Sequence, residues 1–253
     1  MPEDEKLPFN AHLEELRRRL IICFCAVGIG FVISYLFSKR LFEILMQPLL
    51  AAMPPEEKLI YTGLPEAFFT YLKVAFLAGV LLSVPVIMYQ LWMFVAPGLY
   101  DREKRLALPI VFLSSLFFLG GALFGYFIVF PFGFKFFMGF ASDYVKPLPA
   151  MKEYLGFSTK LLFAFGIVFE LPLFVTFLAK LGIVNVKFLK TKRKYAILLF
   201  FVFASILTPP DVITQIMMAG PLILLYEVGI LGARVFGKKE AKADAGETQE
   251  SPG

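Results

Sequence analysis

The chain has 253 residues, of which 58% are hydrophobic and 18% charged, with 31 phenylalanines and a mean hydropathy of +0.75. A soluble domain of this length has too little interior to hide so much apolar surface, whereas hydrocarbon accepts it, so the composition excludes a soluble globular protein. The net charge of +5 is not a nucleic-acid signature, because the basic residues flank apolar runs.

The amino-terminal segment opens acidic, with Glu3, Asp4 and Glu5, and no small-residue cleavage site follows its apolar run. It therefore reads as a retained cytoplasmic anchor and not a cleaved signal. Arg17, Arg18 and Arg19 precede the first uncharged run, residues 20–37. Cys23 and Cys25 lie two apart within it and point to different helix faces, which argues against a staple or metal site. Residues 39–50 follow, with Leu41, Ile44, Leu45 and Leu49 spaced as a short interfacial helix that stops at Pro54 and Pro55.

The second, third and fourth runs cover residues 74–100, 106–134 and 161–179, the fourth broken only by Glu170. These and the first are long enough to cross about 30 Å of hydrocarbon. Residues 141–154 are polar, carry two prolines and read as a loop or capping segment. The fifth run, 195–210, ends at Pro209 and Pro210, which leaves a helix of roughly 22 Å, too short for an average bilayer. The sixth, 212–233, carries only Glu227. A re-entrant hairpin is the competing interpretation of this last pair.

With the N-terminus inside, the inner segments hold sixteen Lys and Arg and the outer segments six, which predicts both termini cytoplasmic. The expected fold is an all-α integral membrane protein with six transmembrane helices in a kinked concave bundle, helices five and six being short. One domain spans residues 1–236, and the Ala-, Glu- and Lys-rich residues 237–253 form a disordered cytoplasmic tail. Prolines 85, 97, 131, 172 and 221 supply kinks, and Gly120, Gly121 and Gly125 offer a close-approach face.

His12 is the one histidine, and the sequence contains no H-E-x-x-H, G-x-S-x-G or P-loop motif, so neither catalysis nor a cofactor is expected. The informative residues are carboxylates. Glu170 lies in the middle of an apolar run, where a charged group costs several kcal/mol, so it is neutral, paired or facing a wet cavity. It is either a docking or proton-linked site or an internal hydrogen bond to another helix, through Tyr126 or Gln215. Glu14, Glu15, Asp101 and Glu103 flank basic segments beside membrane helices. They form either an acidic patch for a guanidinium-bearing partner or local salt bridges to Arg17, Arg18 or Arg102. Asp211 is placed to N-cap the sixth helix, with Gln215 one turn on.

Several of these segments match one family. His12 to Leu20 (HLEELRRRL), Pro85 to Tyr100 (PVIMYQLWMFVAPGLY) with Glu103, Lys104 and Arg105, Ala164-Phe165-Gly166 with Phe169-Glu170-Leu171-Pro172, and Thr208-Pro209-Pro210-Asp211 resemble the signatures of TatC, the large subunit of the twin-arginine protein translocase. The pattern spans roughly residues 9–236, and only the Lys-rich stretch 185–194 departs from it. The resemblance implies a receptor in the bacterial inner membrane for twin-arginine signal peptides of folded proteins, driven by the proton-motive force. It implies signal-peptide binding by Glu15, Arg17, Phe94 and Glu103. Partner docking of TatA-type and TatB-type single-span subunits falls to the matches of Glu170, Tyr126 and Gln215, with self-association in the complex. Pro48 and Asp211 match further functional positions on the outer side. The rival from another class is a proton-coupled small-solute transporter using Glu170, weakened by the lack of an inverted repeat.

Overall fold

A computed structural model of the chain describes residues 9–54, 59–95, 107–141, 147–207 and 212–237. Of the expected tail, residues 237–253, all but Gly237 lie outside the described residues. Among the described residues every regular element is helical, apart from one isolated bridge between Ile60 and Ala150. Helices are what an apolar environment requires, because each backbone N–H and C=O is then satisfied within its own segment.

Helix α1 (Phe9–Leu36) turns at Phe37 into α2 (Ser38–Leu50), the short helix expected from the apolar spacing. Phe42, Leu45, Pro48 and Leu49 bury one face of α2. Helix α3 (Glu66–Val95) begins earlier than its uncharged run. Its first turn is capped by Glu66, whose carboxylate reaches back to the backbone N–H of Gly63 at 3.2 Å and of Thr62 at 2.8 Å. Glu66 also receives the N–H of Lys152 at 3.1 Å, beside the Ile60–Ala150 bridge, and so ties two connections together.

The third span is continuous but not uniform: α4 (Ala107–Phe124), a π turn (Gly125–Val129) and α5 (Phe130–Met138). Pro131 lacks an N–H and would crowd the carbonyl four residues back, and the wider π turn absorbs that misfit. The fourth span begins at Met151, so the segment expected to be loop through residue 154 turns helical four residues sooner, held by the Ile60 bridge. It consists of α6 (Met151–Phe169) and α7 (Leu171–Leu181), with Glu170 as the joint and Pro172 at the start of α7. Gly182, at φ 78°, ends α7 in a left-handed turn in which Ile183 N–H reaches the carbonyl of Leu178.

The shortness expected of the last two helices holds only in part. Helix α8 (Val186–Leu207) has 22 residues, because the lysine-rich stretch is helical and is capped by the Asn185 side chain on Phe188 N–H. Its apolar part, residues 195–207, is still only about 20 Å long. Helix α9 (Val212–Phe236) runs 25 residues straight through Pro221 and is not short. Among the described residues five stretches are long and apolar enough to cross a membrane (α1, α3, α4 with α5, α6 with α7, and α9), and the molecule is a multi-pass membrane protein.

The spans pack in a row, α1 on α3, α3 on α4, α4 on α6, and α7 on α9, with α8 outermost against α9. Small residues set the approach. A Cβ on Gly30 of α1 would lie 2.6 Å from the Gly79 carbonyl oxygen of α3, and Ser83 donates to the Ala26 carbonyl at 2.9 Å. Gly121 meets the Phe165 backbone of α6, whereas Gly120 faces open space. The expected close-approach face is therefore Gly121 with Gly125, turned inward.

Candidate docking site

The start of α1 and the end of α3 meet at one end of the bundle. His12 stacks on Phe94 with ring centroids 4.4 Å apart. Two turns further along α1, Arg19 donates to Glu15 Oε1 from Nε at 3.0 Å and from Nη2 at 2.6 Å, and to Gln90 Oε1 of α3 at 3.1 Å. The partner of Glu15 is thus Arg19, and not Arg17 or Arg18, which are exposed. The reason is helical geometry: residues four apart share a face, and that face turns toward Gln90. Of the four residues expected to bind a signal, Glu15 and Phe94 come to the same end and Arg17 lies exposed beside them. Glu103 lies outside the described residues. Arg19 and Gln90 were missed by the sequence reading, although the i, i+4 spacing of Glu15 and Arg19 was a usable signal.

The second carboxylate sits at the α6–α7 joint. Ser114 of α4 donates to Glu170 Oε2 at 2.6 Å and also lies 3.3 Å from Met88 Sδ of α3. Glu170 Oε1 is buried with no hydrogen-bond partner, as is Trp92 Nε1 of α3. The helix-to-helix bond anticipated for Glu170 therefore exists, but through Ser114. Tyr126 and Gln215 are engaged elsewhere, since the Tyr126 hydroxyl donates to the Ile44 carbonyl at 2.6 Å and Gln215 Nε2 to the Phe201 carbonyl at 2.9 Å.

Pro48 and Tyr126 prove to be one arrangement. Pro48 sits inside α2 without an N–H, which leaves the carbonyl of Ile44 without its helical donor. The Tyr126 hydroxyl fills that place, and the Tyr154 hydroxyl donates to the neighbouring Leu45 carbonyl. Asp211 lies outside the described residues, so its capping role has no geometry to report. Among the described residues no cluster of three His, Cys, Asp or Glu is arranged to hold a metal, and Cys23 and Cys25 are unpaired.

The arrangement supplies a carboxylate already tuned to a guanidinium at one end, and a buried carboxyl with a spare oxygen in the middle. Comparison with known proteins gives the family. The family model of the Sec-independent protein translocase protein TatC matches residues 11–221. A TatC protein of Desulforapulum autotrophicum is 63% identical over 238 residues, covering 94% of this chain and 88% of its own. The TatC protein of Magnetococcus marinus is 48% identical over 245 residues, covering 96% and 90%. A crystal structure of the twin-arginine translocase receptor TatC superposes with a TM-score of 0.78 at 42% identity, covering 89% of this chain and 99% of that one. On its fold and on this degree of identity, the chain is a member of the TatC family of Sec-independent protein translocases.

Proposed function

We propose that this protein is the receptor of a Sec-independent translocation system, binding twin-arginine signal peptides of folded cargo at the end of the bundle formed by α1 and α3. The observation that carries the reading is the Glu15 carboxylate, which holds the Arg19 guanidinium through Oε1 alone. Its second oxygen is not used by Arg19, and an ionised carboxylate oxygen is a strong acceptor for a further guanidinium. Glu15, Arg17 and Phe94, with Glu103 in the adjoining connection, form the proposed signal site.

This end faces the cytoplasm in the proposed orientation, with both termini inside and six crossings of the inner membrane, the sixth being α8. The excess of Lys and Arg in the inner segments supports it. Glu170 is the proposed docking point for a single-span partner of the TatA or TatB type, because its buried Oε1 lacks a donor that a polar partner side chain would provide. Gln215 and Tyr126 are proposed to take part in the same docking, Pro48 and Asp211 are proposed functional positions on the outer side, and the proton-motive force drives transport.

Photo-crosslinking from position 103 to a precursor bearing Arg-Arg or Lys-Lys tests the signal site. Crosslinks specific to Arg-Arg that disappear in Glu103→Gln, and weaken in Glu15→Gln, are expected. Unchanged crosslinking in both single variants and their double variant overturns it.

A further inference from the structure

A cavity of about 400 Å³ lies between α2, α3, the α4 to α5 span and α6. Leu41 and Ile44 of α2, Leu77 and Ala78 of α3, and Leu119 and Leu123 of α4 line it. The polar atom contributed by the side chains that line it is the hydroxyl of Tyr126, already bound to the Ile44 carbonyl. Room for several waters exists, but a buried water needs two to four polar partners, and this lining supplies none that is free. The cavity therefore excludes water. Its mouth is formed by Ile44, Leu123 and Phe127, all exposed on the apolar surface, so it opens where lipid tails lie.

Its volume discriminates between apolar occupants. A helix is about 10 Å across, so 400 Å³ admits less than one 5.4 Å turn of it. The slot therefore cannot enclose a transmembrane partner or a helical signal segment. A single hydrocarbon chain fits. The polar rim identifies the rest of the molecule. Arg40 immediately precedes Leu41, Lys73 immediately precedes the lining residue Val74, and both basic side chains are exposed. Arg40 lies one turn before the lining residue Ile44, and Lys73 one turn before the lining residue Leu77, so each continues a helix stripe that lines the slot. Phe42 and Tyr71 touch edge to face at 5.6 Å, so α2 and α3 meet at this level. Basic residues at the hydrocarbon boundary attract anionic headgroups.

We propose that this slot holds one acyl chain of an anionic phospholipid whose headgroup is held by Arg40 and Lys73. The lipid then completes the wall between α2, α3 and α4 and fixes α2 against the bundle. This site is independent of the signal site, since it uses none of its residues.

The test uses the full-length protein in phosphatidylcholine nanodiscs containing a trace of phosphatidylglycerol with a photoreactive group in one acyl chain. Labelling is expected to concentrate on residues 77–81 and 119–127, about tenfold above the lipid-facing Leu224 of α9. Ala78→Trp fills the slot and should abolish the excess. Leu123→Trp, at the exposed mouth where folding is not strained, should do the same. The double variant Arg40→Gln with Lys73→Gln should remove a preference of about tenfold for the phosphatidylglycerol probe over its phosphatidylcholine counterpart. Uniform labelling, or labelling that neither Trp variant changes, overturns the proposal. So does displacement of the label by a single-span partner or signal segment that itself crosslinks to Leu77.

Discussion

The hydroxyl of Tyr126 donates to the carbonyl of Ile44 at 2.6 Å, the very group that Pro48 leaves without a donor inside α2. A proline in a helix interior ordinarily costs about 3 kcal/mol, partly through that lost bond. Here the cost is offset from another helix, so the position of α2 is coupled to the π turn of the third span. With the Tyr154 hydroxyl on Leu45, two tyrosines hold the turn of α2 that precedes Pro48.

This coupling is measurable. Tyr126→Phe leaves the Ile44 carbonyl unpaired and should cost about 1–3 kcal/mol of stability. In a Pro48→Ala background, where residue 48 regains an N–H, the same substitution should cost at least about 0.5 kcal/mol less. Thermal unfolding of the four proteins in detergent gives the cycle, and strictly additive losses would break the link.

Ser114→Ala should destabilise the α4–α6 junction, since it removes the donor to Glu170 Oε2 while Oε1 is already unpartnered, at a cost of about 1–3 kcal/mol. Combining it with Glu170→Leu removes donor and acceptor together, and stability should return to near the native value. Partner co-purification should stay low in that double variant. A stable variant that still retains its single-span partner at native level would argue against docking through Glu170.

Two glycines of α1 make an internal control. Gly30→Ala pushes a methyl into the α3 backbone and should cost about 1–3 kcal/mol, because backbone cannot move aside as a flexible side chain can. Gly28 has nothing within 4 Å of an added Cβ, so Gly28→Ala should be neutral or stabilise by up to about 1 kcal/mol. Melting temperatures of the two variants decide it.

Arg19→Lys preserves charge but loses the fork that reaches both Glu15 and Gln90. Precursor binding should weaken several-fold while insertion and thermal stability stay unchanged, with the deficit growing as salt is raised. Binding curves at two ionic strengths test this, and equal affinity at both would remove Arg19 from the site.

Glu66→Ala removes the acceptor that joins Thr62, Gly63 and Lys152. Limited proteolysis should then cut the connection around residues 59–65 faster, with the helices left intact. Glu66→Gln, which keeps an acceptor oxygen, should be cut at an intermediate rate.

Much of what hydrocarbon and chain chemistry decide locally was legible in the residues themselves. Long uncharged runs must be helices in lipid, so α1, α3, the α4–α5 span and α6–α7 were legible, as was the amphipathic α2. The break at Glu170 and Pro172 and the short apolar part of α8 also follow from residue type alone. Partner choice did not. In a uniformly apolar helix every face looks alike, so hydropathy assigns no neighbour to Glu170, and Tyr126, Gln215 and Ser114 were equally available on paper. Close approach through Gly121, and the joint between α6 and α7, bring Ser114 to the carboxyl, while Pro48 draws Tyr126 to α2. Single hydrogen bonds between helices, where no water competes, are settled only once the helices have packed.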